Sequence, residues 1–477
     1  MADRPPAPPD ALTCAQRSEP IRALYVHVPF CRNICGYCDF YKIPLRGDLA
    51  EATVDALLLE LDRAAACWPL ALRSVFFGGG TPTELPPELL GRLAAACAAF
   101  RDRGKGDSVA AVRTRDPGVR ESQRAASIEG ANRAPTPPWE GGGLKLDPSA
   151  PPPLRTSAPS PLNPSAPSRL HPFPPSCLRA FVPSCLDEWE FTVEANPATI
   201  TDENAGLLRA AGVNRVSMGA QSFAPAELRF LDRTHRPEQV TESVRLCRRH
   251  GFEVVNLDLI FGVPGQTVDS WRASLRAAVD LGVDHLSCYA LTYEEGTTLH
   301  RRLQTGRVLQ VENEHEAELY EVTMDDLAAA GFEQYEISNF ARPGFECRHN
   351  LVYWHNEPHL AIGPSACGYI DGLRYRNVPD VRQYVEAIRA GRWPRASEER
   401  LDAAHRARET AMLALRLTGG LDRAAFESRF GIEPTAFFRE AIERSVSDGL
   451  VDVTRDAIRL TRAGRLVGDS VMAAFLR

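Results

Sequence analysis

The chain has no apolar run long enough to cross a bilayer as a helix, which takes about 20 residues, so no membrane span is expected. It has no excess of positive charge either. Its 55 Lys and Arg stand against 62 Asp and Glu, giving a formal net charge of −7, and no nucleic-acid partner is expected. Met1 to Thr13 is rich in proline and alanine but lacks the apolar core of a secretory signal. The expected location is therefore cytoplasmic, where thiols stay reduced. Nine of the twelve cysteines stand singly and read as small buried hydrophobes or exposed thiols. Gly78–Gly80 lacks the Lys-Ser/Thr that would follow in a phosphate-binding P-loop. What the chain does have is 477 residues, ordinary hydrophobic (44%) and charged (25%) shares, room for two or three domains, and one group of clustered cysteines.

From Ile21 onward short apolar runs alternate with amphipathic stretches. Strands are predicted at 23–28, 75–77, 189–194, 215–218, 254–261 and 285–291, with helices near 49–67, 86–100, 201–211, 237–251 and 268–281. Six such alternations point to an α/β fold, a parallel sheet covered by helices whose site collects at the carboxyl ends of the strands. Residues 1–20 read as a disordered tail, and residues 101–187 interrupt the pattern. Fifteen of the 37 prolines fall between Pro135 and Pro183, so this stretch reads as a disordered Pro/Ser/Arg-rich insertion in a unit spanning 21–300. An extension follows at 301–398. The last segment, 399–477, reads as a helix at 401–417, a stop at Gly419-Gly420, helices at 422–430 and 435–449, a β-wing at 451–460 and a closing helix at 461–476. That succession is winged-helix-like. Arg439, Glu440, Glu443 and Arg444 nearly cancel on its third helix, which favours a structural or docking role over DNA binding.

The clustered cysteines are Cys31-Arg-Asn-Ile-Cys35-Gly-Tyr-Cys38, a C-x3-C-x2-C just after the first predicted strand. Three thiolates within eight residues suit three corners of a [4Fe–4S] cubane. One iron is then left without a protein ligand, as a catalytic zinc keeps an open position. Zinc itself is the competing reading, but it favours paired C-x2-C units and a fourth ligand, and no second pair lies nearby. His27, four residues ahead of Cys31, is expected to point away from the loop. Cys177 and Cys185, inside the insertion, have no local sequence that supports a ligand role.

The spacing, with Tyr37 just before the last cysteine, resembles the signature of the radical S-adenosylmethionine (SAM) superfamily. Further strings follow in order near predicted strand ends: Tyr25-Val-His27-Val-Pro29-Phe30, Gly78-Gly79-Gly80-Thr81-Pro82-Thr83, Glu194-Ala-Asn196-Pro197, Asn214-Arg215-Val-Ser217-Met218-Gly219-Ala-Gln221, Arg233, and Asn256-Leu-Asp258. Together they are similar to the family of the oxygen-independent coproporphyrinogen III oxidase and its relative, the haem chaperone HemW. The resemblance runs from about Ile21 to the C-terminus, apart from the insertion. It implies a partial (β/α)6 TIM-like barrel of the radical SAM type with a C-terminal α-helical, winged-helix-like domain. It also implies that Cys31, Cys35 and Cys38 hold a [4Fe–4S] cluster, and that Tyr25, Gly79, Gly80, Thr81, Glu194, Gln221, Arg233 and Asp258 line a SAM pocket, with Gly79–Thr81 at the methionine end. Taken by itself, Asp258 in an apolar strand needs partners, which two ribose hydroxyls would supply. The implied chemistry is reductive cleavage of SAM to a 5′-deoxyadenosyl radical, with the electron coming from a donor such as a flavodoxin or ferredoxin.

Within that family the oxidases carry a further cysteine two positions after the third ligand. Here that position is Phe40, which matches the HemW type and counts against decarboxylase activity. Cys347-Arg-His349-Asn350-Leu-Val-Tyr353-Trp354 contains the H-N-x2-Y-W string that HemW-like proteins associate with haem handling. His349 is a candidate axial ligand for haem iron, with Tyr353 and Trp354 packing on a porphyrin face. A satisfied structural histidine among aromatics fits the same string as well. In Gly363-Pro-Ser365-Ala366-Cys367-Gly368, Cys367 stands where a His is common. The function implied is that of a haem chaperone, binding haem and passing it to a haem-accepting protein. The alternative is oxidative decarboxylation of coproporphyrinogen III.

Overall fold

The computed structural model describes residues 20–101 and 189–477. Apart from residues 20 and 101, the expected tail and insertion lie outside the described residues. The core is a nine-stranded sheet in the order Leu360–Ile362, Ile21–Val28, Leu70–Gly79, Glu190–Ala195, Arg215–Gln221, Val254–Phe261, His285–Ala290, Asn339–Ala341, Glu333–Gln334. The strands from Ile21–Val28 to His285–Ala290 run parallel and are the six read from the sequence. Leu360–Ile362 extends one edge in parallel, and Asn339–Ala341 and Glu333–Gln334 extend the other antiparallel. These additions are too short to carry a readable period. No strand pairing closes the sheet among the described residues, so the barrel is a partial one.

The strands are buried on both faces because helices cover one side and the cavity lies on the other. Val254–Phe261 shows it well, with only Asp258 in the apolar run left partly exposed. Thr201 and Thr267 cap the helices Asp202–Ala210 and Val268–Asp280 with capping boxes, which fixes where each crossover turns back. The second strand is longer than the predicted 75–77. It begins at Leu70, paired with Ile21, and after a register shift between Ile21 and Ala23 it runs in register from Ala23↔Ser74 to Val28↔Gly79. Arg73 and Ser74 hid its first half from the apolar pattern.

In the C-terminal segment two predicted helices are each broken once. Residues 435–449 form Pro434–Phe437 and Arg439–Ser447, and residues 461–476 form Arg462–Leu466 and Gly468–Ala474. At the first break Phe438 turns its ring into a cluster with Phe426 and Phe475. At the second, Gly468 lies against Ile337. With the sheet Leu421–Asp422, Ala457–Leu460, Val451–Val453, these helices enclose a hydrophobic core of their own. No helix among the described residues is long and apolar enough to cross a membrane.

Candidate functional site

The cysteine loop is pinned at its base. Phe30 and Cys31 pair in parallel with Ile43 and Pro44, and Ile43 N–H donates to the Pro29 carbonyl at 2.7 Å. Inside the loop, Lys42 Nζ donates to the carbonyls of Cys38 (2.6 Å) and Phe40 (3.1 Å). From outside, Leu299 N–H donates to the Gly36 carbonyl at 2.8 Å, and Asn33 Nδ2 to Thr234 Oγ1 at 3.0 Å. All three cysteines line one cavity. Among the described residues no group of His, Cys, Asp or Glu side chains is drawn together as a single metal ion would require, whereas a cubane offers its three cysteines separate iron corners. The donor set suits such a cluster. Arg233 Nη1 lies 3.4 Å from Cys35 Sγ and Thr81 Oγ1 3.5 Å from Cys31 Sγ, both placed to donate to thiolate sulfur. Burial raises the thiol pKa of Cys31 and of Cys38, and Lys42 opposes the rise at Cys38.

His27 departs from expectation. Its ring faces the loop, with Nε2 2.9 Å from the Tyr41 carbonyl and Nδ1 3.1 Å from the Tyr25 hydroxyl. It is also why position 79 is glycine: a Cβ there would lie 2.3 Å from the imidazole, at a φ of +99°. A Cβ on Gly80 would lie 2.6 Å from the Phe30 carbonyl. The glycines thus let the second strand's end press against the cysteine strand. The N–H groups of Gly79, Gly80 and Thr81 already donate to Glu194, the Val28 carbonyl and the Phe30 carbonyl. These three N–H groups are therefore already satisfied within the protein and are not free donors for a ligand's carboxylate.

Tyr25, Gly79, Gly80, Thr81, Glu194, Gln221, Arg233 and Asp258 all line the same cavity as the cysteines. Gly79, Glu194 and Gln221 stand at or beside the carboxyl ends of their strands, as expected of such a fold, whereas Tyr25 and Asp258 lie within strands and Arg233 follows the helix Pro225–Phe230. Glu194 accepts from Gly79 N–H at 3.1 Å. Burial, with the nearby Asp258 charge, pushes its carboxyl up to about 8. Asp258 has partners that the sequence did not suggest. Asn256 Nδ2 donates to its Oδ1 at 2.7 Å and Ser217 Oγ at 3.4 Å, so its burial does not by itself call for a ribose. Arg233 Nη2 donates to the Gly219 carbonyl at 2.6 Å, while its buried Nε has no partner among the described residues.

The H-N-x2-Y-W string forms the helix Arg348–Trp354. Glu190, first residue of the third strand, accepts from the N–H groups of Arg348 (3.0 Å) and His349 (2.9 Å), anchoring the helix at the amino end of the sheet. His349 is 0% exposed. Its Nδ1 pairs with Ser74 Oγ (3.0 Å), its Nε2 with the Tyr353 hydroxyl (2.9 Å), and its ring stacks on Phe76. No ring nitrogen is left for iron, so in this arrangement His349 is a packed core residue, and burial holds its pKa down at about 3. Trp354 corrects a second expectation. Its ring stacks on the Arg416 guanidinium at 4.4 Å, and neither it nor His349 lines the cavity. Tyr353 does line it. Cys367 is exposed and bonds to the Ser365 carbonyl at 3.7 Å.

The cavity measures about 1360 Å³. Its walls include Arg215, from one of the quoted strings, and residues that the sequence reading missed, Tyr320, Arg416 and Arg465. For these three the cue is tertiary. No local motif could have marked them, because they converge from distant elements.

Comparison with known proteins agrees in extent with this geometry. The model of the radical SAM superfamily matches residues 25–118 and 181–278, and that of the HemN C-terminal domain residues 401–467. The chain is 31% identical to heme chaperone HemW of Bacillus subtilis over 96% of this chain and 99% of that protein. It is 34% identical to heme chaperone HemW of Mycobacterium tuberculosis H37Rv over 95% and 94%. The solved structure of coproporphyrinogen III oxidase (HemN) from Escherichia coli, a radical SAM enzyme, superposes with a TM-score of 0.70 at 21% identity, covering 97% of this chain and 91% of that one.

Proposed function

The chain belongs to the HemW family of radical SAM proteins, and from that premise we propose that it is a haem chaperone, binding haem and handing it to an acceptor protein. Membership brings SAM and a [4Fe–4S] cluster. We assign the cluster to Cys31, Cys35 and Cys38, and SAM to the walls beside them, with Gly79–Thr81 at its methionine end, Glu194 facing its ammonium and Arg233 its carboxylate. Bound there, cluster and SAM supply one-electron chemistry, fed by a donor such as a flavodoxin or ferredoxin. A cytoplasmic location suits such a cluster, since thiols stay reduced there.

The observation that carries the haem reading is the size of the cavity that the cysteines line. Sites for one small ligand run to about 300–1,000 Å³, and 1360 Å³ leaves room beside SAM for a tetrapyrrole. Phe40 supports the carrier over the oxidase. It stands where the oxidases have their further cysteine, and it lies 60% exposed at the cavity's edge.

The deciding experiment is anaerobic. Reconstituted protein should bind haem near stoichiometrically, and with SAM and reductant it should fail to convert coproporphyrinogen III to protoporphyrinogen. Sustained turnover in that assay would overturn the carrier reading.

A further inference from the structure

We propose that Arg416 and Arg465 form the receptor for the tetrapyrrole's carboxylates, and that Trp354 serves the ligand as a positioning residue for Arg416. The proposal rests on the haem reading above and adds an orientation to it. One cavity is lined by the cysteines and by both arginines. The cysteines follow the carboxyl end of the first strand, whereas the helix Arg348–Trp354 is tied to Ser74 and Glu190 near the amino ends. Trp354 at the end of that helix holds the guanidinium of Arg416, and Arg465 reaches the same region from the C-terminal segment by donating to Gln334 Oε1 at 2.5 Å.

Neither arginine is fully matched within the protein. Arg416 Nη2 pairs with Oε2 of the buried Glu336 at 3.3 Å, while Ser338 N–H and Asn339 Nδ2 serve its Oε1, so one edge of the Arg416 guanidinium is matched. Arg465 has no carboxylate within ion-pair distance among the described residues, and burial lowers its pKa. The Nε of each is buried without a hydrogen-bond partner among the described residues. A guanidinium fork left open toward an enclosed space costs free energy unless an anion fills it. A carboxylate fits that fork with two parallel N–H···O bonds. Tyr320, Ile337 and Leu466 supply apolar wall beside the two arginines. Glu316 and Asp469 line the same cavity and disfavour a carboxylate beside them; of its other cations, Arg32 pairs with Glu84, Lys42 and Arg233 are engaged by the cysteine loop, and Arg215 donates to the Phe345 carbonyl.

The test compares haem with its dimethyl ester, which keeps ring and iron but has no carboxylate charge, in absorbance titrations of the full-length protein carrying its cluster. The wild type should bind haem at least about tenfold more tightly than the ester, as charge-assisted bonds of this kind warrant. Arg465→Gln and Arg416→Gln should each shrink that ratio while the cluster absorbance and SAM binding stay at wild-type levels. Trp354→Leu should weaken haem but add little to Arg416→Gln, because both act through one guanidinium. Equal affinities of the wild type for haem and ester would overturn the proposal without any variant, and so would an unchanged ratio in both arginine variants. Absence of haem binding by the wild type would instead overturn the function on which the proposal rests.

Discussion

At the scale of single residues, backbone clearance and buried charge decide what the site tolerates. A methyl group at position 80 would meet the backbone N and O of Phe30 at 2.7 and 2.6 Å, where no flexible side chain can give way. Gly80→Ala should therefore displace the cysteine strand. The expected result is loss of the cluster's brown absorbance and a stability cost of about 1–3 kcal/mol, read from denaturant unfolding. Glu194 gives a pH signature. Its folded carboxyl titrates near 8, above the ordinary 4.5, because burial and then Asp258 disfavour its charge. A raised folded pKa means that its contribution is whole below about pH 4.5, falls as pH rises, and is gone above about pH 8. Ligand-free Glu194→Gln, neutral throughout, should match the wild type in Tm near pH 4 and exceed it near pH 8.5. Parallel Tm profiles across that range would refute the assignment.

At the scale of elements, the helix Arg348–Trp354 shows how a motif can be legible and its role misread. The string His349, Tyr353, Trp354 has helical spacing, and its link to family function was visible in sequence. Its surroundings were not: His349 is closed off by Ser74, 275 positions away, and Trp354 by Arg416. His349→Asn should thus lower stability by about 1–3 kcal/mol, the cost of buried polar groups left unpaired. Bound haem should keep its wild-type absorption maxima in that variant. Shifted maxima with unchanged unfolding would restore His349 as an iron ligand. The Cys31–Cys38 spacing, by contrast, could be read locally, because the three cysteines lie within eight residues and the pattern needs no tertiary contact.

At the scale of the whole molecule, the two described stretches of chain meet where the sequence suggested a detour. The Arg101 guanidinium lies 5.3 Å from the Trp189 ring centre, so the flanks of the interrupting segment come back together. Deleting Gly106–Pro183 and bridging the flanks with a short linker should leave cluster absorbance and haem titration as in the full chain. Loss of either would mean that the segment contributes to the site. The C-terminal segment has a core of its own yet touches the partial barrel through Arg462 to Asp325 (2.7 Å), Gly468 against Ile337, and Arg465 to Gln334. These contacts bring Arg465 to the cavity wall.

The sequence by itself determined the alternation of strands and helices, the three cysteines and the ordered strings at the strand ends, since each is a local pattern of apolar period or ligand spacing. It also determined the choice that Phe40 represents, a single residue at a fixed offset from Cys38. Only the tertiary structure decided which way His27 faces, who satisfies Asp258, that His349 is closed to iron, and that Arg416 and Arg465 share a cavity with the cysteines. The physical reason is the same in each case. A buried polar group is defined by the partners that satisfy it, and here several of those partners lie tens to hundreds of residues away along the chain.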